Sequence, residues 1–404
     1  MNLLRFWASF AIAIKLLAIQ NSSAAPSLIL ADTDLLLEVG VPIVDHAPEI
    51  GVALAELDPL DEDRLIAAAH ARGKCGGFQR LSTQPWQDLA EQRELARESL
   101  DQLVEVTLTP PVTPAPVLTP VQFEPAIQAA VNQVDEGKLR ETVTFLSSFE
   151  TRFHRSPTPN RHIDPMIQKI QEILSQARWI SQLDTFTHTY TQQKSIRVRI
   201  PGATQPDEIV VMGAHLDSIN QGWSSSIAPG ADDNASGSAN ILEALRILAA
   251  QPRPARTIDL FWYAGEEGGL IGSSEIAKAY ARAGNKVVGA LQLDMTLFPG
   301  DGEFTLGSMT DFTSPELRQW FVELNRVYIG GKIIEDRCGY GCSDHASWHS
   351  SGYRALMPFE ASFDRMFSDL HTTKDVISDK LSFRHSAMFS KIAIAFAMTL
   401  GSRP

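Results

Sequence analysis

The sequence predicts an α/β protein with a mostly parallel central sheet flanked by helices on both faces, preceded by a small N-terminal region. Two observations carry this. Beyond residue 120, strand-like apolar runs alternate with stretches of helical period, the pattern of a parallel sheet whose crossovers are helices. Between residues 108 and 120 the run LTPPVTPAPVLTP carries five prolines. Proline fixes φ and denies the backbone a donor, so this run reads as an extended linker between domains and a natural site for proteolytic nicking.

The elements follow in order. Residues 1–24 read as a secretory signal. Arg5 gives the positive start, Phe6–Ile14 is apolar, and Ser22-Ser23-Ala24 places small residues before a cut. The run is too short to span a bilayer. Export to a secreted or periplasmic location, without a membrane anchor, is the expectation. Residues 25–107 form a first region with apolar stretches at Leu28–Leu30, Leu35–Leu37 and Val52–Leu54, a helical Asp61–His70 and an amphipathic Trp86–Val106. It contains no catalytic constellation. It is read as a propeptide that assists folding or covers the active site.

Residues 121–404 form the main domain. Pro165–Ala177 has helical spacing, with Asp164 as its expected N-cap. Ser195–Ile200 alternates as a strand, and Glu208–Ala214 reads as a doubly buried strand. Ala235–Ala250 is a helix with Ile241, Leu242, Leu245 and Leu248 on one face. Strand Thr257–Ala264, helix Gly269–Arg282, strand Val287–Leu293, helix Ser314–Tyr328, a short strand Leu356–Phe359 and a closing helix Arg384–Leu400 complete it.

The 404 residues are 44% hydrophobic and carry a net charge of −13, enough apolar content for a large core and the wrong sign for nucleic acid or anionic membrane. Of the three cysteines, Cys338 and Cys342 flank Gly-Tyr-Gly, and can close a small disulfide loop or form half of a zinc site; Cys75 is left over. A Cys75 thiolate on its glycine-rich loop is one route to latency, and an inert, partly buried cysteine is the plainer alternative.

Chemistry gathers at predicted strand ends. His215 and Asp217 follow one strand, Glu266 and Glu267 another, and Asp294 a third; Asp232 and Asp233 precede a helix, and His371 lies late in the chain. Open α/β sheets place ligands at such carboxyl ends. Each residue has a structural alternative: Asp232 or Asp233 as a helix cap, Glu266 and Glu267 as a solvated pair, Asp294 or His371 in an ordinary loop. Their coincidence at one sheet edge favours a site. Imidazole with carboxylate, and no thiolate, suits zinc, cobalt or manganese. Two histidines, a bridging aspartate and two further acids are enough for two ions.

The stretches GAHLDS, APGADDNASG, YAGEEGGLIGS, LQLDMT, CGYGCSDHASWH and HTTKD resemble the motifs of the secreted bacterial leucyl aminopeptidases, a co-catalytic two-zinc family; the resemblance covers about residues 121–404. It implies a zinc-exopeptidase-like fold and two Zn2+ per domain. His215 and Asp294 would hold one ion, Glu267 and His371 the other, with Asp233 bridging. Glu266 would be general base and acid, Asp217 the partner of His215, and Cys338–Cys342 a disulfide presenting Tyr340 to substrate. Asn234 stands where these enzymes often have a third Asp and is expected not to ligate. The loop between His215 and Asp233 is somewhat short.

The expected substrates are peptides with a free N-terminus and a large apolar first residue. Met295, Met357, Phe359, Phe363, Met366 and Leu370 are expected to line the pocket for it, some of them as ordinary core. A monomer is expected. A one-zinc glutaminyl cyclase, a metallocarboxypeptidase and a non-enzymatic binding module fit less well: the ligand set and base are complete, and no cationic group for a substrate carboxylate stands out.

Overall fold

The computed structural model describes residues 26–48, 51–72, 77–81, parts of 92–104, 116–179, 181–220 and 226–402. The predicted signal segment, Cys75, residues 108–115 of the proline-rich run and much of Trp86–Val106 lie outside the described residues.

The first region builds β1 (Ser27–Asp32), α1 (Thr33–Val39), β2 (Ile43–Ala47), β3 (Val52–Leu57), α2 (Pro59–Ala71) and β4 (Phe78–Arg80). The strands form an antiparallel sheet in the order β2-β3-β1-β4. Side chains alternate across a strand, and β1 is apolar on both faces. Ile29 and Ala31 pack with α1 and α2, while Leu28 and Leu30 join a cluster against which Phe312 of the main domain packs.

The main domain opens with α3 (Pro125–Val131), α4 (Glu136–Ser147) and α5 (Ile163–Leu174). Helix α5 starts before Pro165, which occupies its first turn, where the missing N–H is no loss; its N-cap position is His162, not Asp164. Then come β5 (Gln182–Phe186), β6 (Ser195–Ile200), β7 (Gln205–His215), α6 (Ala235–Ala249), β8 (Arg256–Tyr263), α7 (Ile271–Arg282) and β9 (Lys286–Gln292). The chain closes through β10 (Thr305–Met309), α8 (Pro315–Leu324), β11 (Lys332–Asp336), α9 (His345–Ser350), β12 (Ala355–Leu356), β13 (Pro358–Phe359) and α10 (Phe383–Gly401).

The central sheet has six strands in the order β12-β9-β7-β8-β6-β5. From β12 to β8 all pairs are parallel; β6 and β5 run antiparallel. The connection from β6 to β7 is too short to hold a crossover helix, so the chain simply reverses there. Strand β7 shows why the middle is doubly buried. Val210, Met212 and Ala214 pack against α6 and α10, while Ile209 and Val211 pack against α7 and α9. A smaller sheet, β11-β10-β13, takes up half of the predicted Leu356–Phe359 strand, because Leu356 pairs with β9 and Phe359 with β10.

Residues 116–120 do not hang free. Thr119 is buried, its carbonyl accepts from Trp320 Nε1 at 2.7 Å, and its hydroxyl accepts from Arg256 Nη1 at 2.9 Å.

Candidate metal centre

Because β7, β8 and β9 are parallel neighbours, their carboxyl ends share one edge of the sheet. His215 is the last residue of β7, Glu266 and Glu267 follow β8, and Asp294 follows β9. Asp233 stands just before α6, whose N-cap is Asn234, its side chain accepting from Gly237 N at 2.8 Å. The cap thus falls to neither of the two aspartates. His371 arrives from the loop that precedes α10, with a left-handed φ of 52°, a conformation rare for non-glycine residues and concentrated at functional sites.

The side chains converge in two groups. His215, Asp233 and Asp294 form one; Asp233, Glu267 and His371 form the other; in each the ligating atoms lie within 4.8 Å of one another. His215 Nε2 is 3.2 Å from Asp233 Oδ1 and 3.3 Å from Asp294 Oδ1. His371 Nε2 is 2.9 Å from Asp233 Oδ2 and 3.2 Å from Glu267 Oε2. Asp233 therefore offers one oxygen to each group. All five are buried, and buried carboxylates at this density call for a cation. The nitrogen and oxygen donors fit zinc.

Glu266 lies beside these groups, its Oε2 4.0 Å from His215 Nε2. Both its oxygens are buried without a hydrogen-bond partner among the described residues. Burial, opposed by His215 and reinforced by Glu267 and Asp294, pushes its carboxyl well above the usual range. Burial likewise lifts Glu267 to about 7, the facing His371 opposing. Burial alone would raise Asp233, but hydrogen bonds from His215 and His371 hold it below the ordinary carboxylate range. Burial would lower His371, and the carboxylates of Glu267 and Asp233 outweigh it, raising the imidazole to about 10.

Asp217 does more than face His215, whose Nδ1 is 3.4 Å from its Oδ1. Its two oxygens also accept the backbone N–H groups of Glu266 and Glu267 at 3.0 and 3.1 Å. One carboxylate thereby registers the imidazole of β7 against the turn after β8. Several other residues escape sequence reasoning. Ser343 donates to Asp294 Oδ2 at 2.6 Å, Asp375 accepts the N–H groups of Asp232 and Asp233, and Arg152 is buried behind the site. Ser343 and Asp375 do stand inside quoted motifs; Arg152 has no sequence signal.

Met295, Met357, Phe359, Tyr340 and Leu370 are buried in one apolar cluster, with partly buried Phe363 and Met366 packed against it. The cluster also holds Cys338 and Cys342, joined by a disulfide. Tyr340 meets Phe363 edge-on with ring centres 6.4 Å apart.

A description of peptidase family M28 matches residues 195–397. Leucine aminopeptidase 1 of Arthroderma otae is 37% identical over 297 residues, covering 70% of this chain and 78% of its own. A probable leucine aminopeptidase 1 of Trichophyton verrucosum is 35% identical and covers 78% of this chain and 89% of its own.

The chain belongs to peptidase family M28.

The solved structure of the Legionella pneumophila LapA aminopeptidase superposes on this M28 chain with a TM-score of 0.79 at 26% identity, covering 94% of this chain and 100% of that one. The match extends beyond residues 121–404, which carry the sequence motifs, into the first region. The relatives include fungal as well as bacterial proteins, so the likeness holds at the level of the family and not of the bacterial enzymes alone. No helix among the described residues is long and apolar enough to cross a membrane.

Proposed function

We propose that this M28 peptidase is an exported, zinc-dependent aminopeptidase that removes a large apolar first residue from peptides with a free N-terminus. The observation that carries the reading is the pair of overlapping donor groups sharing Asp233, with the Glu266 carboxyl beside them. His215, Asp233 and Asp294 would hold one ion, and Asp233, Glu267 and His371 the other. Zinc held there would polarise the scissile carbonyl and acidify water.

The chain's own residues do the rest. Glu266, standing as a carboxylate beside the donor groups, takes the proton of the attacking water and returns it to the leaving amine. Asp217 holds the Glu266 backbone and the His215 ring in register, so that base and ligands keep a common frame. The cluster of Met295, Met357, Phe359, Phe363, Met366, Leu370 and Tyr340 receives the first side chain. A charged side chain would lose its hydration there and find no partner.

Residues 26–81 act as a cover in this reading. Phe78 lies against Gly269, in the turn that carries Glu266 and Glu267; a Cβ on Gly269 would come 2.8 Å from the Phe78 carbonyl. Tyr340 and Gly341 line a cleft shared with Leu30, Asp32, Gly77 and Phe78 of the first region.

The test is hydrolysis of leucine p-nitroanilide by the purified chain, before and after cleavage in the proline-rich run, with and without a chelator. Metal-dependent turnover that drops about 10²- to 10⁴-fold in Glu266→Ala, with zinc content retained, is the expected result. A metal-loaded protein inactive in both forms would point to a cyclase or a binding protein.

A further inference from the structure

The carboxylate of Asp233 belongs to both donor groups, so its position sets the relation between them. Among the described residues, no side chain outside those groups hydrogen-bonds its two oxygens. What fixes it is the backbone of residues 228–233, and that segment is held from two sides.

On one side stands Arg152, which is 1% exposed. Among the described residues its guanidinium donates to backbone carbonyls and to no carboxylate. Nε donates to Leu216 O at 2.8 Å, Nη1 to Leu146 O at 2.9 Å and Pro229 O at 2.5 Å, and Nη2 to Gly230 O at 2.8 Å. Leu216 lies between His215 and Asp217, so one rigid fork joins the end of β7 to the segment before Asp233. The approach is close: a Cβ on Gly230, which has a φ of +51°, would lie 2.8 Å from Nη2 and 2.2 Å from Asp233 O. Only glycine fits there.

On the other side stands Asp375. Its Oδ1 accepts Asp232 N–H at 2.8 Å and its Oδ2 accepts Asp233 N–H at 3.0 Å, while its own carbonyl accepts Ala231 N–H at 3.1 Å. Asp375 is four residues beyond His371 in the same loop. It therefore ties the segment carrying Asp233 to the segment carrying His371.

We propose that Arg152 and Asp375 are positioning residues that clamp residues 228–233 between the end of β7 and the His371 loop, and so place Asp233 to serve two metal ions at once. The inference rests on the two-ion reading of the site. A guanidinium fork satisfying several carbonyls is work that lysine, with one compact head, does not replace. A carboxylate accepting two adjacent N–H groups is work that asparagine cannot complete, because its amide nitrogen would face one of the donors.

The experiment measures zinc affinity at both sites of the full chain by competition with a chelating dye, for wild type, Asp375→Asn and Arg152→Lys, each confirmed folded by circular dichroism. Because Asp233 is common to both groups, both affinities fall together, by about 10- to 100-fold, as outlying partners of metal ligands typically cost. Asp375→Glu, which keeps both acceptors, recovers part of the loss. A purely structural role would lower the melting temperature and leave the zinc affinities alone; either folded variant binding two ions as tightly as wild type overturns the clamp. A wild-type chain that takes up no zinc overturns the two-ion reading, and the clamp with it.

Discussion

At the scale of single residues, the site is a set of buried groups whose charges are balanced against each other. His371 shows the balance. Burial opposes its charge, but two carboxylates lie within 3.2 Å of its Nε2, and its pKa rises to about 10; His215 is likewise raised by Asp294 and Glu266 against its burial. Both imidazoles therefore hold a proton at neutral pH in the metal-free protein. A metal needs the neutral ring, so zinc binding displaces these protons. The sign follows directly. As pH falls below about 10, protons compete better, and apparent zinc affinity drops about tenfold per pH unit for each proton displaced. Calorimetry of zinc uptake in buffers of different ionisation heat counts those protons. A count of zero at neutral pH would mean that neither the imidazoles nor the carboxylates of the two donor groups hold a proton before the metal binds.

At the scale of elements, the turn after β8 has a second support that resembles a hydrolytic triad. His188 Nδ1 lies 3.1 Å from Glu275 Oε2, and its Nε2 lies 2.7 Å from Ser195 Oγ. The serine, however, is fully buried, accepts Ala264 N–H at 2.9 Å, and leaves no space beside it: a Cβ on Gly272 would be 2.7 Å away. No substrate reaches it. The arrangement pins the end of β8 two residues before Glu266. Ser195→Ala leaves a buried N–H unsatisfied, and a loss of about 1–3 kcal/mol of stability is expected, read from denaturant unfolding; an unchanged midpoint would show that the backbone relaxes onto another acceptor. This contact also marks the limit of sequence reading. The strands and helices around His215, Asp233, Glu266 and Asp294 were legible because strong apolar periodicity ends abruptly on a charged residue. Strands β5, β10 and β11 were not: all three are short, β5 and β11 are half-buried, and in the buried β10 Thr305, Gly307 and Ser308 break the apolar run. Helix α5 was misplaced at its start because Pro165 reads equally well at several first-turn positions. Arg152, Ser195 and His188 were illegible for a different reason: Arg152 and Ser195 bond to backbone groups of other elements and His188 to the side chains of Glu275 and Ser195, and no local pattern encodes such bonds.

At the scale of the whole molecule, the question is how firmly the first region sits on the main domain. Its contacts run along β4. Phe78 meets the Gly269 turn, Gln79 accepts from Ser350 Oγ at 3.3 Å, and Arg80 O accepts from Lys278 Nζ at 3.2 Å. The charged centre of this interface is Glu62. It pairs at 2.5 Å with Arg80, which is 5% exposed, and also with Arg155 of the main domain. Breaking a buried ion pair from one side leaves an uncompensated charge and costs about 3–5 kcal/mol. In Glu62→Ala that charge is Arg80, stranded between the two regions, and it regains water only if they separate. About 3 kcal/mol off the closed form raises the open population about 100-fold. The full-length variant is therefore expected to hydrolyse leucine p-nitroanilide much faster than the full-length wild type. After proteolytic removal of the first region, the two proteins should be indistinguishable, because Glu62 and Arg80 have left with it. A wild-type chain as active before cleavage as after would show that the contact of Phe78 with the site leaves the substrate path open, and that the first region serves folding alone.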